Sequence, residues 1–145
     1  MATKGGAVVQ LNQATDYAFR VVLYLAGLPS GTVESGVRIA ECQNIPLRFF
    51  QKITRSLSAA GLIKSYRGVE GGFALAKPAG EITLYDVITA MEGPLGIHRC
   101  LADRKACNRH CGDDCPVHQA LAGIQDRLAA DLLRVTFAAL AAKTK

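Results

Sequence analysis

The sequence predicts a mainly α-helical chain with one small β-hairpin wing, arranged as a winged helix-turn-helix domain followed by a long C-terminal helix. Two short helical segments separated by turn residues come first, two short β-rich runs joined by glycines follow, and a long amphipathic stretch ends the chain. At 145 residues the chain is long enough to bury a hydrophobic core without disulfide bonds. We expect the winged helix-turn-helix domain over residues 11–95, a cysteine-rich loop over 96–118 and a terminal helix over 116–142.

The first two helices are predicted from apolar spacing and from the turn residues between them. Residues 11–28 place apolar side chains three and four positions apart, and Asn12 or Thr15 would cap the start. Residues 29–36, PSGTVESG, are rich in Pro, Gly and Ser and indicate a turn. A short helix then ends at Cys42, which is expected in the core.

A third helix is predicted over residues 47–60, with one apolar and one polar face. The side chains expected to point inward are Phe49, Phe50, Ile53 and Leu57. Those expected on the opposite face are Arg48, Gln51, Lys52 and Arg55. Gly61 would end this helix.

The hairpin follows directly after this helix. Residues 62–66, LIKSY, include the β-branched Ile63 and the aromatic Tyr66, which favour a short strand, and RGVEGG then turns the chain back into residues 73–76. The whole segment from Cys42 to Val69 contains no acidic residue, although the chain as a whole carries a net charge of +5. Its basic residues are Arg48, Lys52, Arg55, Lys64 and Arg67. Such one-signed segments are typical of nucleic-acid binding, whereas an ordinary solvated face mixes both signs.

This order of helix, turn, helix and basic hairpin predicts a reader of double-stranded DNA. The alternative is an ordinary α+β domain whose hairpin only packs. We expect no enzyme, because the sequence contains no nucleophile–base pair, no phosphate-binding glycine loop and no second cofactor motif. No apolar run approaches the roughly 18 residues of a membrane span, and the start of the chain lacks the apolar region of a secretory signal. A cytoplasmic location and no membrane partner are therefore expected.

A fourth helix over residues 83–92, capped by Thr83 and stopped by Gly93-Pro94, leads into the cysteine-rich loop. Four cysteines lie close together there, namely Cys100, Cys107, Cys111 and Cys115. In a reducing compartment such a cluster more often binds metal or takes part in redox chemistry than it forms structural disulfides. The alternative is inert packing or an adventitious disulfide. Nearby cations favour thiolates and hence metal: Arg99, Arg104, Lys105, Arg109 and Arg134. The spacing fits neither a zinc ribbon nor a bacterial ferredoxin, so zinc and iron-sulfur both stay open.

The terminal helix is predicted to join two subunits in a homodimer. Its apolar residues recur three and four positions apart: Leu121, Ile124, Leu128, Leu132 and Val135. Because so long a stripe has little of its own domain to cover it, pairing with the same helix of a second subunit is the simplest solution. The alternative is a helix that folds back on its own domain.

Three strings together resemble the Rrf family of bacterial winged-helix regulators, which includes IscR-like and NsrR-like proteins. They are NQATDYAFRVVLYLA, IPLRFFQKITRSLSAAGLIKSYRGVEGGFALAKP and EITLYDVITAMEGPL, and with the later cysteines the resemblance spans about residues 11–133. The resemblance implies a homodimeric transcription factor, here a repressor, whose operator affinity is controlled by an iron-sulfur cluster that senses nitric oxide, redox state or iron-sulfur supply. The alternative function is a zinc-stabilised DNA-binding regulator without a sensing cluster.

The resemblance also implies roles for individual residues at the DNA. Arg48, Gln51 and Lys52 match the positions that enter the major groove, and the segment of Tyr66, Arg67 and Gly68 matches the wing that reaches the minor groove. Gln51 departs from the glutamate common in the family and suits adenine rather than cytosine. Arg55 and Lys64 are expected to contact phosphates.

For the metal, the resemblance implies that Cys100, Cys107 and Cys115 hold the cluster, either 2Fe-2S or 4Fe-4S. Three residues compete for the fourth position. Asp16, in the string TDY, matches the carboxylate that NsrR-like members supply from the partner subunit, and it is preferred here. His118 follows Cys115 as in IscR-like members, and Cys111 is the third candidate.

Overall fold

A computed structural model describes residues 11–97, 101 and 115–144 of the chain. These residues form six α-helices and one antiparallel hairpin, which confirms the predicted mainly helical winged-helix class. The elements in chain order are α1 (Gln13–Ala26), α2 (Gly36–Cys42), α3 (Leu47–Ala59), β1 (Ile63–Tyr66), β2 (Gly72–Leu75), a 3-10 turn (Ala79–Glu81), α4 (Leu84–Glu92), α5 (Pro116–Arg134) and α6 (Phe137–Lys143). Within the described ranges, no helix combines the length and apolar character needed to cross a membrane.

Side-chain caps fix where two of the helices begin. The Oδ1 atom of Asn12 accepts a hydrogen bond of 2.9 Å from the backbone N–H of Thr15, so Asn12 is the cap of α1. At α4 the predicted cap Thr83 accepts from the N–H of Asp86, while Asp86 accepts from the N–H of Thr83 at 2.9 Å. This reciprocal pair satisfies two backbone donors that the first turn of a helix otherwise leaves unpaired.

The hairpin pairs Ile63 with Leu75 at its base and Tyr66 with Gly72 at its tip. A short backbone pairing also lies on the other edge of β2. There the N–H of Glu34 donates to the carbonyl of Phe73 at 2.9 Å, and the carbonyl of Glu34 accepts from the N–H of Phe73 at 2.8 Å. The predicted turn over residues 29–36 therefore also holds the hairpin against the start of α2.

The core forms where α1, α3 and α4 pack together beneath the hairpin. Phe50, Ile53 and Leu57 are buried on one face of α3, as predicted. From α1, Val21 and Val22 are fully buried against the same cluster. Burial of this continuous apolar surface is the main favourable contribution to folding.

Two residues predicted to be buried are not. Phe49 is 44 % exposed, because it lies at the edge of α3 and only touches the ring of Tyr17 at a centroid distance of 6.2 Å. Cys42 is exposed, because Ile39 and Ala40 occupy the core-facing positions of the short helix α2. In both cases a neighbouring apolar residue takes the inward position that the spacing allows.

The expected single helix over residues 116–142 is also wrong, because the chain leaves helical geometry between α5 and α6. Thr136 is extended and pairs with Thr83, and the carbonyl of Val135 accepts a 3.0 Å hydrogen bond from the N–H of Leu84. The N–H of Phe137 donates to Ile82 at 2.9 Å. These bonds turn the chain across the start of α4.

Helix α6 then packs on its own domain. Phe137 is 1 % exposed, and its ring lies 6.3 Å from the ring of Phe19 on α1. Thr136 caps α6 by accepting from the N–H of Ala139 at 3.2 Å. The alternative of a fold-back on the same domain therefore holds for α6, whereas α5 contains no buried residue.

Replacing Phe137 by alanine tests how much α6 contributes to the core. Phe137→Ala should lower the free energy of unfolding by about 3–5 kcal/mol, since it opens a large cavity between α6 and α1. Phe49→Ala, the same change at a half-exposed site, should cost no more than about 1 kcal/mol. Urea unfolding followed by circular dichroism measures both variants, and equal losses would contradict the packing of α6.

Candidate nucleic-acid interface and metal ligands

The outward face of α3 carries the four polar side chains that the sequence placed there. Arg48, Gln51, Lys52 and Arg55 are all exposed, whereas the buried residues of this helix lie on the other side. The helix begins at Leu47 after Pro46 and ends before Gly61, whose φ of 78° suits glycine. Anchoring of one face in the core therefore fixes the direction in which the basic face points.

The hairpin carries the remaining predicted residues beside this helix. Lys64, Tyr66, Arg67 and Gly68 are all exposed. The tight bend after them depends on glycine, because a Cβ atom at Gly71 would overlap the carbonyl oxygen of Tyr66. The bend thus projects a cation and an aromatic ring away from the core.

A small polar cluster lies at Glu34, which pairs with the second strand of this hairpin. The carboxylate of Glu34 accepts from the hydroxyl of Tyr24 at 3.1 Å and pairs with Arg38 at 3.2 Å. Desolvation raises the pKa of Tyr24, and the hydrogen bond with Tyr24 raises the pKa of Arg38. Both pKa values move further from neutral pH, so at neutral pH Tyr24 stays uncharged and Arg38 stays charged. Prediction from sequence missed this cluster, since only the fold brings Tyr24 to Glu34.

The basic residues of the helix and hairpin form no ion pair with any residue in the ranges 11–97, 101 and 115–144. The cations that do form one there are Arg20, Arg38 and Arg134. Because the segment from Cys42 to Val69 lacks acidic residues, its five positive charges face solvent together. An unneutralised positive surface on one side of a helix and hairpin is suited to a polyanion.

The candidate metal ligands are only partly described. Cys100, Cys107 and Cys111 lie outside the described residues, and the parts of the chain that are described contain no group of three or more potential ligands close enough to hold a metal ion. Cys115 is half-buried and directly precedes α5, and His118 lies in the first turn of that helix.

Asp16, the preferred fourth ligand, lies in the first turn of α1. Its carboxylate is half-exposed and pairs with Arg20 at 2.8 Å. The guanidinium of Arg20 in turn lies 5.2 Å from the centre of the Tyr17 ring. Asp16 is therefore accessible to another chain but already has a cationic neighbour.

Arg134 does not support the cationic surroundings that were expected for the cysteines. It ends α5, pairs with Asp131 at 3.0 Å, and lies about 28 Å along the axis from Cys115 at the rise of an ideal helix. Within one subunit, Arg134 is too far away to act on Cys115.

The end of α4 and the segment after it form hydrogen bonds with the start of α1 and with α5, which sequence spacing did not reveal. Glu92, the last residue of α4, accepts hydrogen bonds from the backbone N–H of Asn12 and from the hydroxyl of Thr15, which is fully buried. Five residues later, the N–H of Ile97 donates to Gln125 of α5 at 2.9 Å. The segment that leads to the cysteines thus starts between the beginning of α1 and the middle of α5.

The helix α5 contains no buried residue in the single chain. Val117 is 61 % exposed and Ile124 is 45 % exposed, and Leu121 and Leu128 on the same side are half-exposed. An apolar stripe of this kind in a 19-residue helix is available for a partner.

Comparison with known proteins agrees with this architecture. The profile of the Rrf2 family, described as iron-dependent transcriptional regulators, matches residues 11–143. The structure of CymR (YrzC), the global cysteine regulator of B. subtilis, is similar with 25% identity and a TM-score of 0.75, covering 95% of this chain and 100% of that one. CymR of Staphylococcus aureus has 27% identity and a TM-score of 0.67, with 90% and 96% covered. IscR of T. potens shares the fold, with 22% identity, a TM-score of 0.74 and 94% and 89% covered.

The family resemblance seen in the sequence is therefore confirmed. The match leaves only the ends of the chain uncovered, and the helices and the hairpin follow the winged-helix arrangement of those regulators. This protein belongs to the Rrf2 family, whose members are DNA-binding transcriptional regulators and not enzymes.

Proposed function

We propose that this regulator binds its operator as a homodimer and that an iron-sulfur cluster controls its affinity for DNA. The observation that carries the DNA-binding part is the outward face of α3, where four polar side chains are exposed within a segment, Cys42 to Val69, that contains no acidic residue. The cluster part rests on the cysteine spacing and on the family, which is described as iron-dependent.

At the DNA, the residues divide between reading bases and contacting the backbone. Arg48, Gln51 and Lys52 would lie in the major groove, where Gln51 suits the N6 and N7 atoms of adenine. Arg55 and Lys64 would contact phosphates, which hold the protein in position without reading sequence. This division follows from the helix, since Arg48, Gln51 and Lys52 lie nearer its first turn than Arg55 does.

The wing would reach the adjacent minor groove. Tyr66, Arg67 and Gly68 are exposed at the tip of a hairpin whose second strand is also paired, at Phe73, with Glu34. A guanidinium in a narrow minor groove is attracted by its negative potential. This second pairing would reduce the backbone entropy that Arg67 loses when it enters the groove.

Dimerisation would bury the apolar side of α5. The stripe of Leu121, Ile124 and Leu128 is not fully buried in the single chain, and pairing two α5 helices would remove its exposed part from water. A twofold pair also presents two copies of α3, as an operator with two half-sites requires.

The donor set fits an iron-sulfur cluster by its chemistry. Cys100, Cys107 and Cys115 would supply thiolates, which are the usual ligands of such clusters. Cys115 stands at the beginning of α5, where the positive end of the helix dipole favours an anionic sulfur. When bound, the cluster would supply an iron centre open to nitric oxide or oxygen, so that its state reports nitric oxide, redox conditions or iron-sulfur supply.

Asp16 is the preferred fourth ligand, supplied by the partner subunit. Its neighbour Thr15 is bonded to Glu92 at the end of α4, and the cysteine-rich loop follows Glu92. A change at Asp16 would therefore act on α1 and α4 together and so on the DNA-binding domain. With His118 or Cys111 as the ligand, the signal would instead pass through α5 or stay within the loop.

The alternative is a zinc-stabilised regulator without a sensing function. Zinc also binds thiolates, in a closed tetrahedral site that resists exchange. A repressor that senses a signal needs a more labile centre, and an oxygen ligand such as Asp16 would supply that lability. Colour separates the two, since an iron-sulfur protein absorbs visible light and a zinc protein does not.

Removal of wing charges should weaken DNA binding and lower its salt dependence. Lys64→Ala should reduce affinity for all duplexes and lower the salt slope by about one, because one phosphate contact is lost. Arg67→Ala should weaken binding and relax the preference at the flanks of the site. Fluorescence anisotropy across a salt series, on a duplex selected by the protein, measures both.

The control for these variants is Lys143→Ala, which removes an equally exposed cation on α6, away from the hairpin. Its affinity and salt slope should match those of the parent protein. Unchanged binding in both wing variants would remove the hairpin from the interface.

A charge in the apolar stripe of α5 should break the dimer. Leu128→Asp and Ile124→Asp both should shift the protein to monomer, since an unpaired charge in an apolar seam costs several kcal/mol. Leu133→Asp is a matched control, because Leu133 is 48 % exposed and Ile124 is 45 % exposed, yet they lie about 180° apart on an ideal helix. Sedimentation velocity that shows a dimer for Ile124→Asp would place the interface elsewhere.

The cysteines should differ in their effect on the cluster. Cys107→Ser should lose the visible chromophore after anaerobic reconstitution with iron and sulfide, and Cys111→Ser should keep it. Asp16→Ala should keep three thiolates and yield a less stable cluster, whereas His118→Ala should leave it unchanged. Absorbance and iron content decide this, and a colourless parent protein that contains zinc would establish the alternative.

A further inference from the structure

The outward face of α3 includes one side chain that cannot form hydrogen bonds. Leu47, the first residue of the helix, is 47 % exposed and lies at the border of that face, beside Gln51. A single exposed leucine on a protein surface is ordinary. Its position is what carries information, because it lies at the start of the helix proposed to enter the major groove.

Helix geometry places Leu47 next to Gln51. The two residues are four positions apart, so their side chains are neighbours on the helix surface, with Cβ atoms about 5–6 Å apart. Arg55 continues the same line by another four positions. Phe49, the other exposed apolar residue of α3, lies at the edge of the helix and contacts Tyr17, so it does not share this line.

The chemistry of the groove then limits what Leu47 can contact. The major-groove edges of the four bases present hydrogen-bond donors and acceptors, and the one apolar group among them is the C5 methyl of thymine. A leucine among hydrogen-bonding side chains at the base edges has only this group with which to bury apolar surface.

We propose that Leu47 is a specificity-determining residue that packs against the methyl group of a thymine in each half-site. The thymine would lie within one or two base pairs of the position read by Gln51, because the two side chains are adjacent along the helix. This inference rests on the proposed binding of α3 in the major groove and adds a base that hydrogen bonding alone does not specify.

Deoxyuridine provides the test, since it differs from thymidine only by the missing methyl group. A duplex is first selected from a random pool with the full-length protein, and each thymine of one half-site is then replaced by deoxyuridine. One replacement should weaken binding about fourfold, as expected for the loss of one buried methyl group. The Leu47→Ala variant should bind the unmodified duplex more weakly than the parent protein does. The deoxyuridine replacement that weakens binding of the parent protein should not weaken binding of this variant further.

Arg55→Ala is the matched control, because it lies on the same face and should weaken binding while keeping the deoxyuridine penalty. Leu47 is half-exposed and alanine favours helices, so Leu47→Ala should fold normally, which its circular dichroism confirms. The inference is overturned if no deoxyuridine replacement weakens binding, or if Leu47→Ala keeps the penalty. Failure to select any duplex would overturn the proposed interface of α3 itself, and this inference with it.

Discussion

The edge-to-face contact between Phe50 of α3 and Phe73 of β2 holds together the two elements that we propose to face DNA. Their ring centres lie 5.6 Å apart, and Gly36 at the start of α2 leaves room for both rings, since a Cβ atom there would lie 3.0 Å from each. Helix α3, strand β2 and the start of α2 therefore meet at this contact. Because protein interiors are closely packed, a shift of Phe50 or Phe73 would turn the basic face of α3 relative to the hairpin.

Helix α4 joins this DNA-facing part to the remainder of the chain at both of its ends. At its beginning, Leu84 and Ile82 pair with the crossing segment of Val135 and Phe137. At its end, Glu92 is bonded to the start of α1. The cysteine-rich loop and α5 lie in sequence between these two attachments. A change in the loop would thus act on α4 from both ends, and α4 packs directly against α1 and α3.

Much of the fold could be predicted because its local signals agree with its packing. The apolar spacing of α3, the glycine after it and the cap of α4 at Thr83 each depend on residues close in sequence, and each was found as predicted. The division of α3 into a buried and a basic face follows from the same periodicity. Placement of Arg48 and Gln51 on an exposed surface therefore needed no knowledge of the tertiary structure.

The features that were missed depend on contacts between distant parts of the chain. Val135 and Thr136 continue an apolar pattern that suits a helix, but pairing with Leu84 and Thr83 supplies backbone hydrogen bonds that the extended form needs. The bonds from Asn12 and Thr15 to Glu92 span about eighty residues of sequence and follow no local rule. Cys42 and Phe49 were assigned to the core because apolar character does not say which of several nearby residues in a helix turns inward. The break after α5 and the bonds to Glu92 are thus decided by long-range contacts, which local spacing does not show.

The break between α5 and α6 also bears on how a dimer would transmit a signal. A continuous helix to residue 142 would leave the pairing of two subunits free of the DNA-binding domain. The observed crossing instead bonds the end of α5 to the cap of α4 within two residues, and Phe137 anchors α6 in the core. Rotation of α5 against a partner helix would therefore pull on α4 directly. Since α4 packs against α3, a rearrangement at the proposed dimer seam would have a short mechanical route to the helix that we propose to face DNA.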